Sequence, residues 1–118
     1  MDYAFESPLV EDLIEIGLRV HLSDDNSSVS VTAWSRGGHA VTVAWDEVAC
    51  SARVACSVEG RLVVTIERES VTKVSVSRIG TSINLRIRSS FGPMDGDLVV
   101  TVGEEIAVND QILRVRDA

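Results

Sequence analysis

The sequence predicts a mainly β protein: an antiparallel meander of about eight strands, curled into a barrel-like or sandwich form, with one short N-terminal helix. Three observations carry this. Apolar and polar residues alternate with period two through most of the chain. Valine leads the apolar set while aromatics make up only 4%, and branched aliphatic side chains pack well on a pleated sheet. Glycine punctuates the alternating runs at short intervals, as hairpin turns require.

The chain opens with a leader, residues 1–6, followed by a helix predicted over residues 8–16. Ser7 is placed to cap it and Pro8 to fill its first position. Glu11 and Asp12 suit the positive end of the helix dipole. Leu9, Leu13 and Ile16 form an apolar stripe, widened by Val10 and Ile14. Gly17 is placed to end the helix in a left-handed cap. Leu18, Val20 and Leu22 then alternate with Arg19 and His21, which reads as a short strand. Residues 23–27, Ser-Asp-Asp-Asn-Ser, form a loop whose side chains bond their own backbone.

Three hairpins follow. Residues 28–35 and 39–46 join through Arg36-Gly37-Gly38. That loop pairs Ala33 with Val41, Val31 with Val43 and Val29 with Trp45, all on one face. A two-residue loop would break this match. Trp34 then points to the other face. Residues 50–57 and 61–68 join through Val58-Glu59-Gly60, pairing Cys56 with Leu62, Val54 with Val64 and Ala52 with Ile66. Both Cys50 and Cys56 would face inward. Residues 71–88 form the longest hairpin, turning at Ile79-Gly80 or Gly80-Thr81. Val74, Val76, Ile83, Leu85 and Ile87 share its apolar face; Lys73, Arg86 and Arg88 lie on the other. Residues 89–96 read as a loop, 97–102 as a strand, 103–105 as a break, and 106–108 as a short extended piece. Asn109-Asp110 reads as a turn and 111–116 as a last strand. So many short strands do not fit a flat open sheet.

The 118 residues make one domain, 1–118, large enough to bury a core without staples. Net charge is −7, which disfavours nucleic acid and anionic membranes. Residues 1–25 hold seven acids against Arg19 as the single base; residues 61–88 hold six bases against two acids; residues 95–110 hold five acids and no base. The basic middle is expected to meet acids of this chain or of a second copy. No stretch is long and apolar enough to span a membrane, and the N-terminus has acids where a signal peptide needs bases. The expected location is the cytoplasm, with the cysteines as free thiols.

Chemistry is thinly supplied. His21 and His39 lie on a strand and beside a turn, with no motif around them. There is no C-x-x-C pair, H-E-x-x-H helix, G-x-S-x-G elbow or phosphate-binding glycine loop. Asp24-Asp25-Asn26 and Asp95-Gly96-Asp97 are turn chemistry rather than calcium loops. No aromatic residue lies between Trp45 and Phe91 to stack bases on the cationic hairpin face. No enzyme activity, cofactor or metal is expected.

The reading is a protein-binding module whose partner is basic. Its expected contact surface is Glu11, Asp12, Glu15, Asp24, Asp25 and an outward Trp34, since a tryptophan is a good interface anchor. In composition it resembles small acidic immunity proteins and antitoxins, which neutralise a partner by charge complementarity. Two other classes fit the same composition. One is a small-ligand barrel with a valine-lined cavity. The other is a structural homo-oligomer, including a homodimer, built through sheet faces or edges.

Overall fold

The computed structural model describes residues 5–115. It holds one helix, α1 (Val10–Ile16), and nine strands: β1 (Arg19–Leu22), β2 (Ser28–Trp34), β3 (Ala40–Asp46), β4 (Ser51–Val58), β5 (Arg61–Arg68), β6 (Val71–Ile79), β7 (Ser82–Phe91), β8 (Met94–Val102) and β9 (Ile106–Val115). These make two antiparallel meanders, β1-β2-β3-β4-β5 and β6-β7-β8-β9. The sheets do not close into a barrel. They pack face to face as a sandwich, so of the two forms expected the sandwich is the one adopted.

One apolar cluster fills the space between them. Val31, Val41, Val43, Trp45 and Val54 of the five-stranded sheet meet Val74, Leu85, Ile87, Leu98 and Val100 of the other, and Leu13 and Leu18 join them. Most residues that alternation assigns inward are in this core or packed against it, but Leu62 and Val64 of the second hairpin, also assigned inward, are exposed. The first hairpin has the expected register, with Ala33 opposite Val41, Val31 opposite Val43 and Val29 opposite Trp45.

The meander does not continue from β5 to β6. Ser70 takes a left-handed conformation (φ 56°), and the Val71 N–H donates to the Cys50 carbonyl at 2.9 Å. The chain thus leaves one sheet and starts the other beneath the foot of β4. At its far end β6 brings Arg78 to the carbonyl of Ile16, at the end of α1. β6 therefore runs obliquely across the five-stranded sheet.

Several local expectations are corrected. The helix starts at Val10, with Leu9 as its N-cap and no capping side chain; Ser7 instead donates to Glu47 Oε2 at 2.7 Å. Its end is as expected: Gly17 has φ 107° and the Leu18 N–H reaches the Leu13 carbonyl at 3.1 Å. In the second hairpin Val58 pairs Arg61, so the turn is Glu59-Gly60, both with positive φ. The shorter turn and a bulge at Val63 displace the expected pairing by two residues: Cys56 faces Val64, Val54 faces Ile66 and Ala52 faces Arg68, in place of Leu62, Val64 and Ile66. The third hairpin turns at Gly80-Thr81, because Ile79 pairs Ser82. Residues 89–96 are not a loop. β7 runs to Phe91 and β8 starts at Met94, around a two-residue turn at Gly92-Pro93. Asn109-Asp110 is not a turn either, since Asn109 pairs Val99 and Asp110 pairs Leu98 inside β9.

Of the leader, residues 1–4 lie outside the described residues, and so does Arg116 of the predicted last strand. Glu6 is ordered: its N–H donates to the Thr72 carbonyl at 3.0 Å and its carbonyl accepts from the Val74 N–H at 2.8 Å, along the open edge of β6.

Candidate functional site

Helix α1 is anchored by Leu13, which is fully buried, and by Ile16, which packs half-buried against the core. Glu11 and Glu15 stand on the opposite side and Asp12 on the flank; all three are exposed, beside an exposed Ile14. Glu11 and Glu15 are one turn apart, and like charges at that spacing weaken a helix slightly. Glu15 also sits in the last turn, which holds no base and where the dipole disfavours an acid. Arg78 offsets this from outside by donating to the Ile16 carbonyl. None of the three acids has a hydrogen bond or ion pair among the described residues.

The helix runs along the side of the sandwich that β1 closes. Its start lies near the β1–β2 loop, because Glu47 accepts from Ser7 and its own N–H donates to the Ser27 carbonyl at 3.0 Å. Its end leads through Gly17 into Arg19, which pairs Thr32, two residues from Trp34. β2 separates Ser28 from Trp34 by about 20 Å at ~3.3 Å per residue. The Asp24-Asp25 loop and Trp34 therefore mark opposite ends of a strip, with the helical acids between them. The six expected contact residues do not converge on a point.

Two of the six already have partners. Asp25 Oδ1 accepts from Ser23 Oγ at 2.8 Å, Ser27 Oγ at 2.8 Å and the Ser27 N–H at 3.1 Å. These bonds, the Ser27 backbone first, hold its carboxyl below the usual range. Its role is to shape the turn. Trp34 is 52% exposed and carries the Arg19 guanidinium 5.7 Å from its ring centroid, a cation–π contact within the chain. Asp24 is exposed.

The cationic face of the third hairpin is largely neutralised internally. Arg88 Nε lies 2.9 Å from Asp97 Oδ1, Arg86 Nη1 lies 3.0 Å from Asp97 Oδ2, and Lys73 Nζ lies 3.6 Å from Glu6 Oε1. Arg88 reaches Asp97 Oδ2 as well, at 3.1 Å. Its hydrogen bonds are the main cause of a lowered Asp97 pKa, working against burial. That these cations meet acids of the chain is as expected; that the central acid is Asp97 was not legible because residues 89–96 read as a loop, and continuing the alternation through Gly92-Pro93 sets Arg88 opposite Asp97.

The remaining candidates for chemistry are dispersed. His21 is exposed on β1, opposite Ser30. His39 lines an open hollow of about 600 Å³ with Arg36, Glu104 and Glu105, where two turns meet. A second hollow, about 250 Å³, lies by Ser28, Asp46, Arg53 and Glu67. The valines that a ligand cavity would require instead fill the core. Cys50 does not face inward. It lies in a turn before β4 with φ 54°, and its Sγ is 3.7 Å from the Glu47 carbonyl. Cys56 packs against the core, and burial raises its thiol pKa. Among the described residues no three His, Cys, Asp or Glu side chains are placed to hold a metal ion, and no helix is long and apolar enough to cross a membrane.

No protein-family model and no curated protein sequence matches the chain. Among solved structures, it is similar to a chain of a contact-dependent growth inhibition toxin–immunity protein complex from Klebsiella pneumoniae 342. The TM-score is 0.77 over 95% of this chain and 100% of that one, at 12% identity. At that identity the likeness shows a shared fold.

Proposed function

We propose that this chain is a non-catalytic protein-binding module of the immunity type, acting in the cytoplasm to neutralise a basic partner protein. The observation that carries the reading is the likeness in fold to a chain of a toxin–immunity complex. The charge distribution supports it. Lys73, Arg86, Arg88, Arg36 and Arg68 are all paired with acids of the chain, while Glu11, Asp12 and Glu15 are exposed and have no ion pair among the described residues. Unpaired acids on a rigid helix steer a basic partner and fix its orientation. Ile14 and Trp34 supply apolar contacts at the centre and end of the same strip.

Affinity capture from source cells tests this, using the intact chain, the triple variant Glu11→Gln/Asp12→Asn/Glu15→Gln, and Trp34→Ala. The expected result is one basic protein that is toxic when expressed alone and harmless when co-expressed with this chain. Neutralising the helix should weaken capture on the order of tenfold. Equal capture by all variants would remove the proposed surface. Toxicity of this chain expressed alone would overturn the immunity reading itself.

A further inference from the structure

Helix α1 has little of its own to hold it in place. It is seven residues long, its N-cap Leu9 makes no capping bond, and its last turn holds no base. A helix of that length is unstable in isolation. Leu13 and Ile16 join the core cluster, while Leu9 and Ile14 stay 65% and 59% exposed. Glu15 loosens it further. It lies four residues after Glu11, and it sits at the negative end of the helix dipole; like charges at that spacing and an acid at that end both weaken a helix.

The chain on either side is fixed. Glu6 bonds through its N–H and its carbonyl to Thr72 and Val74 of β6, and Ser7 donates to Glu47. Beyond the helix, Leu18 is 5% exposed and Arg19 pairs Thr32 within the sheet. Between these points, among the described residues, no backbone group of residues 8–17 bonds to either sheet. One polar tie crosses the gap: the Arg78 guanidinium, at the far end of β6, donates to the Ile16 carbonyl. The ladders of both sheets and most of the core cluster lie outside the helix.

We infer that α1 is a hinged flap, which opens as a unit over residues 8–17 while both sheets stay folded, and that Arg78 is its latch. Gly17, at φ 107°, is the hinge at the sheet end, where no side chain restricts the backbone. Opening withdraws Leu13 and Ile16 from the core and releases the Ile16 carbonyl, so the closed form dominates and the helix is rigid while closed. Opening also carries Glu11, Asp12 and Glu15 away together, so the latch governs whether these acids form one surface. That consequence rests on the contact surface proposed above; the opening itself does not, and it is measured without any partner.

Native-state hydrogen exchange, followed residue by residue by NMR, tests the inference, with circular dichroism as the check on folding. The N–H groups of Leu13, Gly17 and Leu18 donate within the helix and its cap. They are expected to exchange on the order of a hundredfold faster than those of Val43 and Leu85 in mid-sheet, with one common opening constant. Arg78→Ala should speed all three about tenfold and leave Val43 and Leu85 unchanged. Glu15→Gln, a change at an exposed side chain, should slow all three about threefold. Helix amides that are unprotected or as slow as those of Val43 and Leu85, three unrelated opening constants, Arg78→Ala acting equally on helix and sheet, or no effect of Glu15→Gln would each overturn it. Failure of the capture experiment bears on the contact surface alone.

Discussion

Arg88 grips Asp97 with two nitrogens, Nε at 2.9 Å from Oδ1 and Nη2 at 3.1 Å from Oδ2. Asp97 is almost completely buried beneath Arg88 and Arg86, while both arginines keep about half of their side chains in water. The acid is thus the fixed member and the arginines are its lids. Asp97→Ala is expected to cost about 1–2 kcal/mol: a charge-assisted pair is lost, but the two arginines can resolvate. Urea unfolding at neutral pH measures it.

The same pair sets an acid limit. The folded-state pKa of Asp97 is depressed below its ordinary 3.8, first by the Arg88 hydrogen bonds. Its contribution is therefore complete above the unfolded value and is lost as pH falls through the lower, folded one. Stability of the wild type should drop below about pH 4 more steeply than that of Asp97→Asn. Parallel acid titrations of the two proteins would contradict this.

Gly17 joins helix to sheet under two constraints. Its φ is 107°, and an added Cβ would stand 3.3 Å from Arg78 Nη2, the group that caps the helix. Gly17→Ala should destabilise the fold by about 1–2 kcal/mol from backbone strain alone, and the Arg78 contact must shift as well. Thermal unfolding reads the loss. A variant as stable as the wild type would show that this junction is relaxed.

The two tryptophans should behave oppositely. Trp45 is 2% exposed at the centre of the core, so Trp45→Ala should cost about 3–5 kcal/mol. Its Nε1 has no hydrogen-bond partner among the described residues; Trp45→Phe removes that orphan donor and should cost markedly less than alanine. Trp34→Ala loses only surface area and the Arg19 contact, about 0.5–1 kcal/mol. Acrylamide should quench Trp34 fluorescence readily and Trp45 poorly.

Burial raises the Cys56 thiol above its ordinary pKa. Reaction of Cys56 with a thiol reagent should be slow at neutral pH, speed up as pH rises, and become fast in urea. A Cys50→Ser variant isolates the signal.

The sequence by itself determined which faces are apolar, and through them most of the local pairing. Val29, Val31 and Ala33 can match Val41, Val43 and Trp45 in only one register, and the structure has it. Gly17 likewise marked the helix end. Both are local properties: period-two alternation and a left-handed residue are written along a few neighbouring positions. Tertiary structure decided the rest. Ser89, Ser90, Asp95 and Gly96 have turn composition, yet they are strand because each strand supplies hydrogen bonds to the other across Gly92-Pro93. Asn109 and Asp110 are strand because β8 lies beside them. The left turn at Ser70 divides one expected meander into two sheets, and only that division sets Arg78 against α1 and leaves the acids of the helix facing solvent. A polar residue's backbone takes the hydrogen bonds its neighbours offer, and those neighbours are distant in sequence.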